Sequence, residues 1–228
     1  MDISIINRPA NSVAKVSLEK GESFTAEAGS MVAMTGDTTV TTTTHKKGGK
    51  GGIFKALKRM LAGESFFVNT FTAGPNGGEV YVAPTLSGDM VEIPLDGNES
   101  WMVQSGSYLA SSPEISVNLG WQGFKSVFSG ESVFWLEMAG SGKLVINSFG
   151  AIYPLDIDGE HIIDTGHIVA FPKSMNFKIC KASSSIIGSV LSGEGLVCKF
   201  QGKGRIWCQS HNAPSFGYTL GPMLKKRN

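Results

Sequence analysis

Leu61-Ala-Gly-Glu-Ser-Phe-Phe-Val68 recurs in altered form as Phe128-Ser-Gly-Glu-Ser-Val-Phe-Trp135 and as Leu191-Ser-Gly-Glu-Gly-Leu-Val-Cys198. Each copy runs into an apolar stretch, a Gly-rich turn and a second apolar alternation. The turns are Asn76-Gly77-Gly78, Gly140-Ser141-Gly142 and Gly202-Lys203-Gly204, followed by Glu79–Val82, Lys143–Ile146 and Arg205–Cys208. Period-two apolar patterning on both sides of a glycine turn reads as a β-hairpin. A second signature precedes the first in each copy, over 18–33, 95–110 and 157–170. It runs from an apolar residue through a turn with Gly to a strand, then a small-Gly-polar turn (Ala28-Gly29-Ser30, Ser105-Gly106-Ser107, Thr165-Gly166-His167) and a last strand. Two signatures repeated in one order define three units, about 1–87, 88–150 and 151–212, with a C-terminal tail 213–228. No unit holds a helix able to cover a sheet, so the apolar faces must bury one another. The expectation is an all-β fold: one compact domain of three similar β-sandwich-like units packed around a pseudo-threefold axis.

The composition agrees. Of 228 residues, 29 are Gly and only 17% are charged, as short strands and tight turns require. Lys plus Arg number 20 against 19 Asp plus Glu, so no whole-molecule field draws in nucleic acid, and any electrostatic partner must be recognised locally. The opening Met1–Val13 has no basic region leading into an apolar one, and no long apolar run follows elsewhere. Cys180, Cys198 and Cys208 are odd in number and sit in apolar strands, which argues against a disulfide framework. A reducing cytoplasm is the expected location.

One segment breaks the β pattern. Between the two signatures of the first unit, Ile53, Phe54, Leu57, Met60 and Leu61 share one face at helical spacing, predicting a short amphipathic helix. Lys46, Lys47, Lys50, Lys55, Lys58 and Arg59 form a run of six cations without an intervening acid. These are the candidates for contact with an anionic partner. The plain structural alternative is a helix that caps the β core, with its lysines solvated.

Familiar catalytic patterns are missing. There is no Cys-x-x-Cys, no Gly-x-Ser-x-Gly elbow and no phosphate-cradling Gly-x-x-x-x-Gly-Lys loop. No cofactor is implied. The nearest metal-ligand constellation is Glu160, His161, Asp164 and His167, which could serve a metal-dependent enzyme; the same positions are also explained by the repeat, whose second copy holds Ser100, Gln104 and Ser107. Trp101, Trp121, Trp135 and Trp207 lie in apolar alternations and are expected in the core. Only Arg205 and Trp207 hint at a nucleic-acid face.

Gly63–Phe71, Val103–Ala110, Ile157–Phe171 and Ser192–Ser210 together resemble the altered-inheritance-of-mitochondria family over nearly the whole chain. The resemblance implies a fold similar to that of the tryptophan RNA-binding attenuator protein, agreeing with the three units read above. It implies no catalytic residue, and its mitochondrial members suggest membrane organisation. The function expected is that of a non-enzymatic binding or scaffold protein that meets an anionic membrane surface or a protein through the insert 45–61. A module binding a small molecule or RNA in crevices between units is the alternative. Open sheet edges also allow a homo-oligomer.

Overall fold

A computed structural model describes residues 1–44, 67–125, 132–181 and 196–225. The chain is all-β, as the sequence patterning requires. The first stretch comprises β1 (Asp2–Ile6), β2 (Val13–Leu18), β3 (Ser23–Glu27), β4 (Met31–Met34), β5 (Thr39–Thr44), β6 (Phe67–Thr72) and β7 (Gly78–Val82). The second comprises β8 (Met90–Asp96), β9 (Trp101–Gln104), β10 (Tyr108–Ser111), β11 (Ser116–Lys125), β12 (Ser132–Ala139) and β13 (Ser141–Asn147). The third comprises β14 (Ile152–Asp164), β15 (Ile168–Pro172), β16 (Asn176–Lys181) and β17 (Leu196–Gln209), followed by a helix α1 (Ala213–Leu220).

Period-two alternation produces these strands. In β2, Ala14, Val16 and Leu18 are buried while Val13, Lys15 and Ser17 are partly exposed; in β3, Phe24 and Ala26 are buried between Ser23, Thr25 and Glu27. Such strands bury one face only and need a second layer. Each stretch supplies two three-strand layers with matching connectivity. The first pairs β2-β7-β4 and β5-β6-β3, and the second pairs β8-β13-β10 and β11-β12-β9. In the third, two long strands do the work of four: β17 pairs with β14 throughout, with β15 along its later half and with β16 along its earlier half. The switch falls at the facing pair Gly159 and Gly202, whose φ of 96° and 116° L side chains rarely adopt, so the hairpin can bend there without breaking.

The layers join across stretch boundaries. β3 pairs antiparallel with β10, giving the six-stranded sheet β5-β6-β3-β10-β13-β8, and β9 pairs antiparallel with β15 to join the second stretch to the third. Sheet β1-β2-β7-β4 stands as a separate four-stranded layer. Among the described residues, no pairing joins the third stretch back to the first.

The cores follow the same sequence. One cluster packs Val16, Phe24 and Val80 with Met90, Leu109 and Val145 of the second stretch; another packs Leu136, Leu144 and Ile146 with Val169 and Ala170 of the third; the last gathers Met102 and Trp135 with Phe171, Phe200 and Ile206. Phe24 stacks on Phe71 at 5.1 Å, and Phe171 meets both Trp135 (5.1 Å) and Phe200 (5.0 Å) edge-on. Each such fully buried aromatic contributes about 2–3 kcal/mol through area alone. Trp135 is in the core as expected, whereas Trp101 and Trp207 are half-buried against it.

The amphipathic helix expected over Ile53–Leu61 lies outside the described residues. The C-terminal tail 213–228 contains α1, begun by Asn212, whose Oδ1 accepts the Ser215 N–H at 2.8 Å, with proline in the first turn. That start signal was present in the sequence. The helix docks Phe216 edge-on against Phe149 at 5.3 Å.

Candidate functional site

The six nominated cations, Lys46, Lys47, Lys50, Lys55, Lys58 and Arg59, lie outside the described residues. What is described is their root: Thr44 at the end of β5 faces Phe67 at the start of β6 in an antiparallel pair. The segment that carries them therefore leaves and re-enters the six-stranded sheet at neighbouring positions. The connections β11–β12 and β16–β17 leave at matching places, between Lys125 and Ser132 and between Lys181 and Leu196.

Glu160, His161, Asp164 and His167 are drawn to separate tasks. Glu160 forms an ion pair with Lys199 at 3.0 Å across the β14–β17 ladder. Asp164 Oδ1 accepts the Gly166 N–H at 2.7 Å and caps the short turn that follows. His167 Nδ1 lies 2.8 Å from the Gln209 carbonyl oxygen, so it carries the proton and donates; Nε2 is then left to accept from Asn212 Nδ2 at 3.1 Å. His161 Nδ1 is shut off from solvent and has no hydrogen-bond partner among the described residues. Strand alternation puts His161 and Asp164 on opposite faces of β14. Among the described residues no three His, Cys, Asp or Glu side chains gather as metal ligands.

A polar crevice lies where the first two stretches meet. It encloses about 450 Å³ and is lined in part by Gly21, Glu22, Ser23, Ser112, Glu114 and Lys143. Glu22 lies 2.6 Å from the Met1 ammonium and accepts the Glu19 N–H at 2.8 Å, and these two contacts hold its carboxyl below the ordinary range. Lys143 stands 3.5 Å from both Asp2 and Glu92. Its lining thus carries charges of both signs, and the Ser112 hydroxyl beside them accepts the Lys143 N–H at 2.8 Å.

Two carboxylates, Asp89 buried and Glu27 half-buried, were not singled out by sequence reading. Asp89 accepts from Arg8 Nε and Nη2, both at 2.9 Å, from the Ser12 hydroxyl at 2.7 Å and from the Met90 N–H at 2.8 Å. Burial by itself would raise its pKa, but Arg8, Ser12 and Met90 outweigh burial and hold the carboxyl below its ordinary value. This cluster ties loop 7–12 to the start of β8. Glu27, at the end of β3, has no such partners among the described residues, and burial pushes its carboxyl up to about 7. Only its place in the small-Gly-polar signature, where Gln104 and Asp164 stand in the other copies, could have drawn attention to it.

No helix among the described residues is long and apolar enough to cross a membrane. Fold and crevice together define an all-β protein whose two-layer strand groups are welded edge to edge. The chain belongs to the mitochondrial biogenesis AIM24 family, whose model matches residues 3–211. It is 32% identical over 213 residues to an uncharacterized protein of Streptococcus pyogenes serotype M6, spanning 91% of this chain and 85% of that one. The crystal structure of a Streptococcus pyogenes protein, 30% identical, matches it with a TM-score of 0.79 over 98% of this chain and 99% of the other. The family resemblance read from the repeat signatures is thereby borne out.

Proposed function

We propose that the protein is a non-enzymatic binding scaffold that meets an anionic membrane surface through the cations of the insert 45–61. The observation that carries this reading is the pairing of Thr44 with Phe67, which roots the cation-bearing segment in a six-stranded sheet. Each Lys or Arg near an anionic bilayer contributes about 1 kcal/mol, enough for six to give salt-sensitive binding without a pocket.

Vesicle co-sedimentation tests it. Wild-type chain should pellet with phosphatidylserine-containing vesicles at low salt and be released at high salt. It should ignore phosphatidylcholine vesicles, and a variant with all six cations changed to Gln should stay in the supernatant. Equal pelleting of the variant, or equal binding to neutral vesicles, would overturn the reading. An acidic protein partner is the outcome favoured if vesicles fail but salt-sensitive capture still needs the six cations.

A second reading is a small-molecule module, and the observation favouring it is the mixed-charge crevice beside Glu22 and Lys143. A discrete extra mass in native mass spectra, absent from Lys143→Met, would support it; a bare chain with no mass to lose would not.

A further inference from the structure

We propose that the C-terminal tail is a second lipid contact: the apolar stripe of α1 and the turn after it enter the headgroup region of an anionic bilayer, with Lys225 beside the lipid phosphates. The contact takes the same partner as the insert but rests on other residues. Spacing makes the stripe. Phe216, Leu220 and Met223 stand at i, i+4 and i+7, and Gly221 keeps a helical backbone, so the turn Gly221–Met223 continues α1 and carries all three on one face. An amphipathic helix that served only the fold would bury this face. Here Phe216 meets Phe149 edge-on at 5.3 Å and is still 46% exposed, Leu220 is 38% exposed, Met223 is 78% exposed and Leu224, next in line, 62%. No residue of α1 is buried.

Five of the twelve large apolar side chains exposed on the described residues fall within 216–224. Scattered exposure is ordinary, whereas a cluster of this kind marks a surface meant to be covered. Charge selects what covers it. Residues 210–228 contain no Asp or Glu, and the apolar stretch runs directly into Lys225, Lys226 and Arg227. An apolar groove on another protein would answer the stripe and leave the cations unmet. An anionic bilayer answers both, because acyl chains take Leu220, Met223 and Leu224 while lipid phosphates and carboxylates meet the cations. The tail is also held so that it can reach. Asn212 caps α1 through Oδ1 and donates from Nδ2 to His167 Nε2 at 3.1 Å, and Phe216 rests on Phe149, so the ties lie at the start of the helix and its far end projects. One short apolar contact holds a bilayer only weakly, but joined to a separate cationic contact it holds firmly. The tail therefore adds a salt-resistant part to the salt-sensitive contact of the insert.

Two measurements on the full chain test the tail. An environment-sensitive fluorophore on Met223→Cys, in a Cys180→Ser background, should shift to the blue with vesicles containing phosphatidylserine and stay unshifted with phosphatidylcholine alone. The triple variant Leu220→Ser, Met223→Ser and Leu224→Ser, changed only at exposed positions, should bind the anionic vesicles about tenfold or more weakly and be released at lower salt than the wild type. Wild-type pelleting with no blue shift and an unweakened triple variant would overturn the tail contact and leave the insert reading standing. Pelleting and a blue shift that both survive changing the six insert cations to Gln would uphold the tail and overturn the insert reading. Neither pelleting nor a shift would overturn both. An equal shift with neutral vesicles would overturn the anionic surface as the partner, and a shift that rises with protein concentration in the absence of vesicles would give the stripe to a second copy instead.

Discussion

Changing Glu27 to Gln should stabilise the protein above neutral pH and leave it nearly unchanged below about pH 4.5. The carboxyl sits at the end of β3, where its strand faces Val68 and its carbonyl accepts from the Ser30 N–H and hydroxyl, so the backbone is fixed and the side chain cannot swing away cheaply. Burial raises the pKa from an ordinary 4.5 to about 7. As pH rises from acid, the unfolded chain releases this proton first, near 4.5, while the folded chain keeps it until about 7. Across that window the native state binds one proton more than the unfolded state, so stability falls with rising pH by about 1.4 kcal/mol per pH unit. Above 7 both states are ionised and the loss is complete. The window gives about 3 kcal/mol as the ceiling, and water penetration lowers the expected gain of Glu27→Gln near pH 8 to about 1–3 kcal/mol. Gln104 already occupies the matching position of β9, so the amide fits this turn. Urea unfolding of both proteins at a series of pH values measures the difference. Parallel stability curves, or a variant that loses stability above neutral pH, would refute the reasoning.

Asp89→Ala should cost about 2–3 kcal/mol in urea unfolding near neutral pH, since it strands the Ser12 hydroxyl and the Met90 N–H in a buried site. Its carboxyl is held below the ordinary range, so the contribution is present near neutral pH, fades as pH falls through the folded pKa, and makes the variant's deficit shrink in acid. Gly88→Ala should cost about 3 kcal/mol or more, because a Cβ there would run into the Ser148 carbonyl at the parallel bridge to Gly150; Gly29→Ala, strained in φ but facing open space, should cost nearer 1 kcal/mol by the same thermal melts. Burial pushes the thiols of Cys198 and Cys208 up to about 12 and about 11, so native-state alkylation read by intact mass should label at most Cys180, which is half-buried, and all three cysteines only in denaturant.

Period-two alternation and two repeated turn signatures determined the strands by themselves. Apolar parity in runs such as Val13–Leu18 and Lys143–Ile146 is local, and glycine at a turn is a local demand of the backbone, so one sequence suffices to read both. The family likeness was legible for the same reason. The start of α1 was also written locally, in Asn212 and the proline of the first turn. Partners distant in sequence were not legible. Asp89 finds Arg8 across 81 residues, and no spacing rule links them. Glu27 looks like any strand-end acid until its layer is covered, and only that covering moves its proton. His161, Asp164 and His167 sit close enough in sequence to suggest a shared ligand set, yet strand alternation, the cap at Gly166 and the Gln209 carbonyl divide them. The repeated turn signatures were countable from the sequence, but which strand edges join was not. Edge pairing is decided by hydrogen-bond geometry between strands far apart in the chain, and only the tertiary structure shows β3 meeting β10 and β9 meeting β15.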